Sequence, residues 1–346
     1  VTATPGRRKV ALLNTGGTIG MVAGPKGLVP SREFVEAYLH GMSDLSGEAL
    51  PAFDLFAVEP LLDSADLRPA DWVRIADAVV RRYHDYDGFV VLHGTDTMAY
   101  STSAVSFLLP GLGKPVVFTG AQLPLSDVRS DGREHLVTSL LLAADGGIPE
   151  VSLYFGGVLL RGNRAQKVHS NHFVAFASGA LPPLARVGVQ IEVARHLVRP
   201  AGPGVPVDVT LPRAPEVVAV RLFPGITARM LRQLMAPPVE GVVLEAYGAG
   251  TFPTQDPDLL AAVREAVDRG VVVVTTSQVH AGRVAPSRYG TGAALADAGA
   301  ASAHDLTPEA ALTKLYVLLA HGAPAADVRR RLVEDVVGEL TVGDSS

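Results

Sequence analysis

The chain has 346 residues, of which 48% are hydrophobic and 19% charged, and its formal net charge is −5. That length suits one large or two medium domains, and the composition supplies a sizeable core and argues against bulk disorder. There is no cysteine, which excludes disulfides, thiolate nucleophiles and cysteine–zinc sites; the acidic balance, with no long Lys/Arg run, gives no electrostatic reason to expect nucleic acid or an anionic membrane as partner.

The N-terminal stretch VTATPGRRKV lacks the apolar centre of a signal peptide, so the cytoplasm is the expected compartment. No apolar run reaches the ~20 residues that a membrane helix needs. KVALLN (9–14), GFVVLH (88–93), PVVFTG (115–120) and VSLYF (151–155) are nearly continuous apolar runs, the pattern of parallel strands covered on both faces. Between them, Trp72, Ile75, Ala76, Val79, Val80 and Tyr83 fall at helical spacing over 69–83, with Pro69 suited to the first turn. A second helix is expected over 97–109 and a hairpin at 156–161. Strand alternating with helix implies an α/β fold with a parallel sheet and helices on both faces.

Residues 179–215 are dense in Pro and Gly. They mark the end of an N-terminal domain (1–190) and a linker (191–215). Strands resume at 217–223, 241–247 and 271–277, with helices over 226–235, 257–269, 307–321 and 325–337. This is a smaller C-terminal α/β domain, 216–346.

Three polar clusters fall where strands end: Thr15-Gly16-Gly17-Thr18, Gly94-Thr95-Asp96 in HGTDTMAYS, and Lys167 in RGNRAQKV. Each has a plain structural alternative. A Gly-Gly-Thr can be a strand-to-helix turn, Gly-Thr-Asp-Thr a helix cap, and Lys167 a solvated surface lysine. A phosphate cradle is disfavoured, since no Gly-Lys-Ser/Thr follows and the Gly-x-Gly-x-x-Gly spacing is absent. His169 and His172 are close, but they lie in a loop-like stretch and read as surface or packing residues. Taken together, Thr, Lys and Asp make a nucleophile, base and orienter set that needs neither cysteine nor histidine, and N–H groups at the glycine turns can receive an oxyanion.

NTGGTIGM, LLDSADLRPADW, VVLHGTDTMAYS, TGAQLPLSDVRSDGREHL and YFGGVLLRGNRAQKV, in that order, resemble the asparaginase family on its bacterial type I (cytosolic-type) side. The resemblance covers most of 9–178 and continues more weakly through 217–322. It implies an L-asparagine amidohydrolase with a large N-terminal and a smaller C-terminal α/β domain. It also implies no metal or cofactor, and a homodimer or homotetramer with sites at subunit contacts. Thr18 matches the family's nucleophile, and Thr95, Asp96 and Lys167 match its second, proton-handling set. Ser64 and Asp66 match the positions that hold the substrate's α-carboxylate and α-amino group. Gly17 and Gly94 fit as close-approach backbone, and Gln122 lies in the matching substrate loop.

The chain departs from the family pattern at three places. Leu28 stands where bacterial members carry a loop tyrosine; VAPSRYGTG (284–292) is similar to a loop that supplies the phenol in mammalian-type relatives, making Tyr289 the candidate replacement. Thr251 stands where asparagine is usual, and Ala65 where periplasmic-type members carry glutamine. The leading expectation is hydrolysis of L-asparagine through an acyl-enzyme on Thr18, with L-glutamine as a second substrate to test. The alternatives are an asparagine-binding sensor with little turnover and an amidotransferase-type subunit.

Overall fold

The computed structural model describes residues 7–25, 27–41, 50–205, 209–284 and 290–341. In chain order the first part contains β1 (Lys9–Gly16), β2 (Met21–Gly24), β3 (Gly27–Pro30), α1 (Arg32–Gly41), β4 (Ala52–Leu62), α2 (Pro69–Val80), β5 (Gly88–Leu92) and α3 (Met98–Leu108). It continues with β6 (Val116–Thr119), α4 (Gly132–Asp145), β7 (Val151–Phe155), β8 (Val158–Arg161), β9 (Gln166–Lys167), β10 (Phe176–Ala177), β11 (Ala185–Val187) and β12 (Ile191–Val193). The second part contains β13 (Val217–Arg221), α5 (Ala228–Leu234), β14 (Gly241–Ala246), α6 (Pro257–Asp268), β15 (Val272–Ser277), α7 (Gly290–Asp297), β16 (Ala301–Ser302), α8 (Pro308–Ala320) and α9 (Ala325–Leu332).

These form two compact units: the chain through Ala177 with Pro182–Val209, and Ser178–Leu181 with the chain from Thr210 on. Residues 191–209, expected as linker, are grouped with the first unit, where β12 pairs with β11.

The first unit is built on an eight-stranded sheet in the order β12-β11-β8-β7-β6-β5-β1-β4. The expectation of a parallel sheet holds from β4 to β7 and needs correcting beyond it. β7 and β8 form the hairpin expected at 156–161, closed by the tight Gly156-Gly157 turn, and β11 and β12 add to β8 antiparallel, which the expectation did not include. Val10 to Leu13 and Phe89 to Leu92 are fully buried, as central parallel strands require.

In the second unit β13-β14-β15-β16 is a parallel sheet. Its side chains alternate between two cores. Val242, Leu244 and Val273 pack with Leu231 of α5 and with Leu259 and Val263 of α6. Val243, Val272 and Val274 pack with Leu315 and Leu318 of α8 and with Val328 and Leu332 of α9. Successive strand residues point to opposite faces, so an unbroken valine run serves both layers. Among the described residues no helix is long and apolar enough to cross a membrane.

Candidate active site

β4, β1, β5 and β6 are neighbours and run parallel, so their carboxyl ends share one edge of the sheet. In parallel α/β sheets this edge is where ligands bind. Each strand delivers one part of the candidate set: Ser64 and Asp66 follow β4, Gly17 and Thr18 follow β1, Gly94 to Asp96 follow β5, and Gln122 follows β6.

Thr18 opens the 3-10 turn Thr18–Gly20 and is partly exposed. The residue before it, Gly17, has φ +85, a conformation that suits glycine. A Cβ on Gly17 would stand 2.3 Å from the Gly94 nitrogen, so the backbones of the two turns are in contact. A Cβ on Gly94 would in turn meet Ser64 Oγ at 2.4 Å. Two missing side chains therefore bring together the turns that carry Thr18, Thr95 and Ser64.

Ser64 is buried in the 3-10 turn Ser64–Asp66, which Asp63 caps by accepting from the Ala65 N–H. The turn is tied to the start of α3 by Thr97 Oγ1, which donates to the Ser64 carbonyl at 2.8 Å. Asp66 ends the same turn and is exposed.

Lys167 arrives from another direction, on β9, after the β7–β8 hairpin and the 3-10 turn Gly162–Arg164. Its Nζ donates to Thr95 Oγ1 at 2.8 Å and to Asp96 Oδ1 at 2.5 Å. Lysine and Thr95 are largely covered, while the Asp96 side chain is 65% exposed, so the cluster reaches solvent on the Asp96 side.

Gln122 is engaged elsewhere. Its Nε2 donates to the carbonyls of Ser170 (3.3 Å) and His172 (3.0 Å), in the turn between β9 and β10. Leu28 is half exposed on β3. Thr251 Oγ1 donates to the Tyr247 carbonyl at 3.1 Å, within its own turn. Tyr289 lies outside the described residues.

Beneath the Gly94 turn, His93 is fully buried and its Nδ1 is 2.7 Å from the Gly94 carbonyl. A carbonyl can only accept, which places the proton on Nδ1. Burial holds the His93 pKa down at about 4, against the raising effects of that hydrogen bond and of Asp71. The ring is therefore neutral above that pH. His93 also lines a small cavity behind Ser64 and Gly94, with Thr15, Asp71 and Arg74.

The arrangement offers a partly exposed threonine, a lysine-bonded second threonine and a buried serine, all beside glycine backbone. Comparison with known proteins places the chain in a family. Residues 9–199 match the Asparaginase, N-terminal family model, and residues 216–332 match the Glutaminase/Asparaginase C-terminal domain model. The chain belongs to the asparaginase family. Its resemblance to L-asparaginase 1 of Escherichia coli is 42% identity, covering 98% of this chain and 99% of that protein. The 60 kDa lysophospholipase of mouse is also 42% identical, over 98% of this chain but 63% of its own length. The crystal structure of L-asparaginase I from Vibrio cholerae superposes with a TM-score of 0.89 at 41% identity, covering 97% of this chain and 100% of that one.

Two polar residues of this asparaginase fold, His93 and Asp131, were not singled out in the sequence. His93 reads there as the last residue of a strand, and Asp131 appears only within the motif TGAQLPLSDVRSDGREHL. An Asp-Gly pair opening an apolar stretch was the available signal for Asp131, and it indicates a helix start without telling where the carboxylate points.

Proposed function

We infer that the chain is a cytoplasmic type I L-asparaginase, hydrolysing the side-chain amide of L-asparagine to L-aspartate and ammonia. The observation that carries the reading is the Lys167–Thr95–Asp96 cluster, assembled from distant segments and set next to the turn of Thr18.

Thr18 Oγ attacks the side-chain amide carbon. The C–N bond breaks, the hydroxyl proton leaves with the nitrogen as ammonia, and a β-aspartyl ester remains on Thr18. Water then opens the ester. Its proton is drawn through Thr95 toward the Lys167–Asp96 pair and returned to Thr18 Oγ as L-aspartate departs. Lys167 Nζ and Thr95 Oγ1 are 2.8 Å apart, a hydrogen bond along which that proton can pass. Ser64 holds the α-carboxylate and Asp66 the α-ammonium, a hydroxyl donor and a carboxylate acceptor suited to those groups. Gly17 and Gly94 let the substrate approach the backbone. Tyr289 is the residue to supply the phenol that Leu28 lacks. The working assembly is a homodimer or homotetramer.

The test is ammonia release from L-asparagine and L-glutamine by wild type, Thr18→Ala and Tyr289→Phe. Wild type is expected to release ammonia from L-asparagine and Thr18→Ala to lose nearly all of it. Tight asparagine binding by calorimetry with no ammonia from wild type would sink the hydrolase and favour a sensor.

A further inference from the structure

Asp131 stands directly before α4, the position from which an aspartate ordinarily caps its own helix. Its side chain makes no such bond. The carboxylate turns back onto the loop after β6 instead. Both oxygens accept from the Gln122 N–H, at 3.1 and 3.0 Å, and Oδ1 also accepts from the Leu123 N–H at 3.1 Å. The Asp131 side chain is 8% exposed, so these are charge-assisted bonds largely shielded from water.

The same first turn of α4 holds the loop at its beginning. His135 Nδ1 lies 2.9 Å from the Gly120 carbonyl, while Nε2 accepts from the Gly156 N–H at 3.0 Å. At its far end the loop reaches the nucleophile turn: the Leu125 N–H donates to the Ile19 carbonyl at 3.1 Å, and Ile19 is the residue after Thr18. Gly132 closes the contact. A Cβ there would stand 3.0 Å from Leu125 Cδ2 and 3.1 Å from both Ala121 Cβ and Ile19 Cγ1.

We propose that Asp131 is a positioning residue for Thr18. Through two backbone N–H groups it fixes the 120–125 loop, and that loop fixes the Ile19 carbonyl and with it the direction of the Thr18 hydroxyl. The proposal deepens the asparaginase reading and rests on it. A nucleophile held by a stiff loop is kept near its attack geometry without being touched by the residue that holds it.

The test compares wild type, Asp131→Ala and Asp131→Asn in ammonia release from L-asparagine, with the melting temperature of each. The asparagine variant keeps the shape but turns one acceptor into an N–H₂ facing an N–H. For Asp131→Asn, kcat is expected to fall by about tenfold to 100-fold. KM should stay within about twofold, because the substrate's own contacts remain. Asp131→Ala should fall at least as far. Should the alanine variant fail to fold, Asp131→Asn alone decides. Wild-type kcat in a folded Asp131→Asn protein would overturn the proposal, as would a rise in KM that accounts for the whole loss. Absence of ammonia from wild type itself would overturn the asparaginase reading and this proposal together, a result distinct from equal rates in wild type and variants.

Discussion

Lys167 and Thr95 are 72 residues apart in sequence, yet the lysine Nζ donates to the threonine Oγ1 at 2.8 Å. Asp96 holds the other side of the ammonium at 2.5 Å. Lys167→Met removes the donor while keeping most of the stem. If Thr95 depends on that donor to handle a proton, kcat for L-asparagine should fall by about 100-fold or more. Steady-state ammonia assays at saturating substrate measure this; a loss under tenfold would mean that the lysine is structural.

Gly94→Ala tests the packing of the turns. The new methyl would overlap Ser64 Oγ, 2.4 Å away, and Ser64 Cβ, 2.6 Å away. The serine must be displaced, and kcat/KM should drop by about 100-fold with the protein still folded. Gly17→Ala should be worse, since it meets backbone atoms of Gly94 and also requires φ +85. Circular dichroism alongside the kinetics separates local displacement from unfolding.

His93 makes stability depend on acid. Its folded pKa is depressed to about 4 from 6.5, so the unfolded chain takes up this proton first as pH falls. Stability is undiminished above about 6.5 and is lost progressively as pH drops from there toward 4, by on the order of 3 kcal/mol. Asparagine in place of His93 can still donate to the Gly94 carbonyl but does not titrate. In His93→Asn the difference between urea midpoints at pH 7 and pH 5 should be smaller than in wild type. An unchanged difference would remove His93 as the source.

In the second unit, Lys314 and Glu339 form an ion pair at 2.5 Å with both side chains almost wholly buried. The lysine ammonium also donates to the carbonyls of Leu332 and Glu334, and Glu339 accepts from the N–H groups of Val336 and Val337. Burial lowers the Lys314 pKa, and the Glu339 charge opposes that shift. Lys314→Met leaves a buried carboxylate without its cation and should cost about 3–5 kcal/mol. Lys314→Met with Glu339→Gln removes the stranded charge and should be less destabilised than the single variant. Denaturant unfolding of both proteins checks the order.

The strands with unbroken apolar runs were legible in the sequence: 9–14, 88–93, 115–120 and 151–155 are β1, β5, β6 and β7, with no end moved by more than two residues. So were α2, α3, α6 and α8. Their signals are local, a run of Val and Leu or a stripe at helical spacing. Other elements were not legible. β4 is an edge strand of mostly half-buried residues with Pro60 inside it, so neither an apolar run nor a clean alternation marks it. α4 hides because His135, Thr138 and Ser139 lie on its buried side and blur the apolar stripe.

The sequence by itself determined the chemistry available at the strand ends: hydroxyls at Thr18, Ser64 and Thr95, a carboxylate at Asp96, an amine at Lys167, and glycines where backbones must touch. Residue type and short-range pattern suffice for that. Only the tertiary structure decided that β4 lies beside β1, that β11 and β12 extend the sheet antiparallel beyond the hairpin, and that the Asp131 carboxylate faces the Gln122 loop instead of its own helix. Those outcomes depend on pairings between segments far apart in the chain, and their energies come from burial and hydrogen bonds that no local window contains.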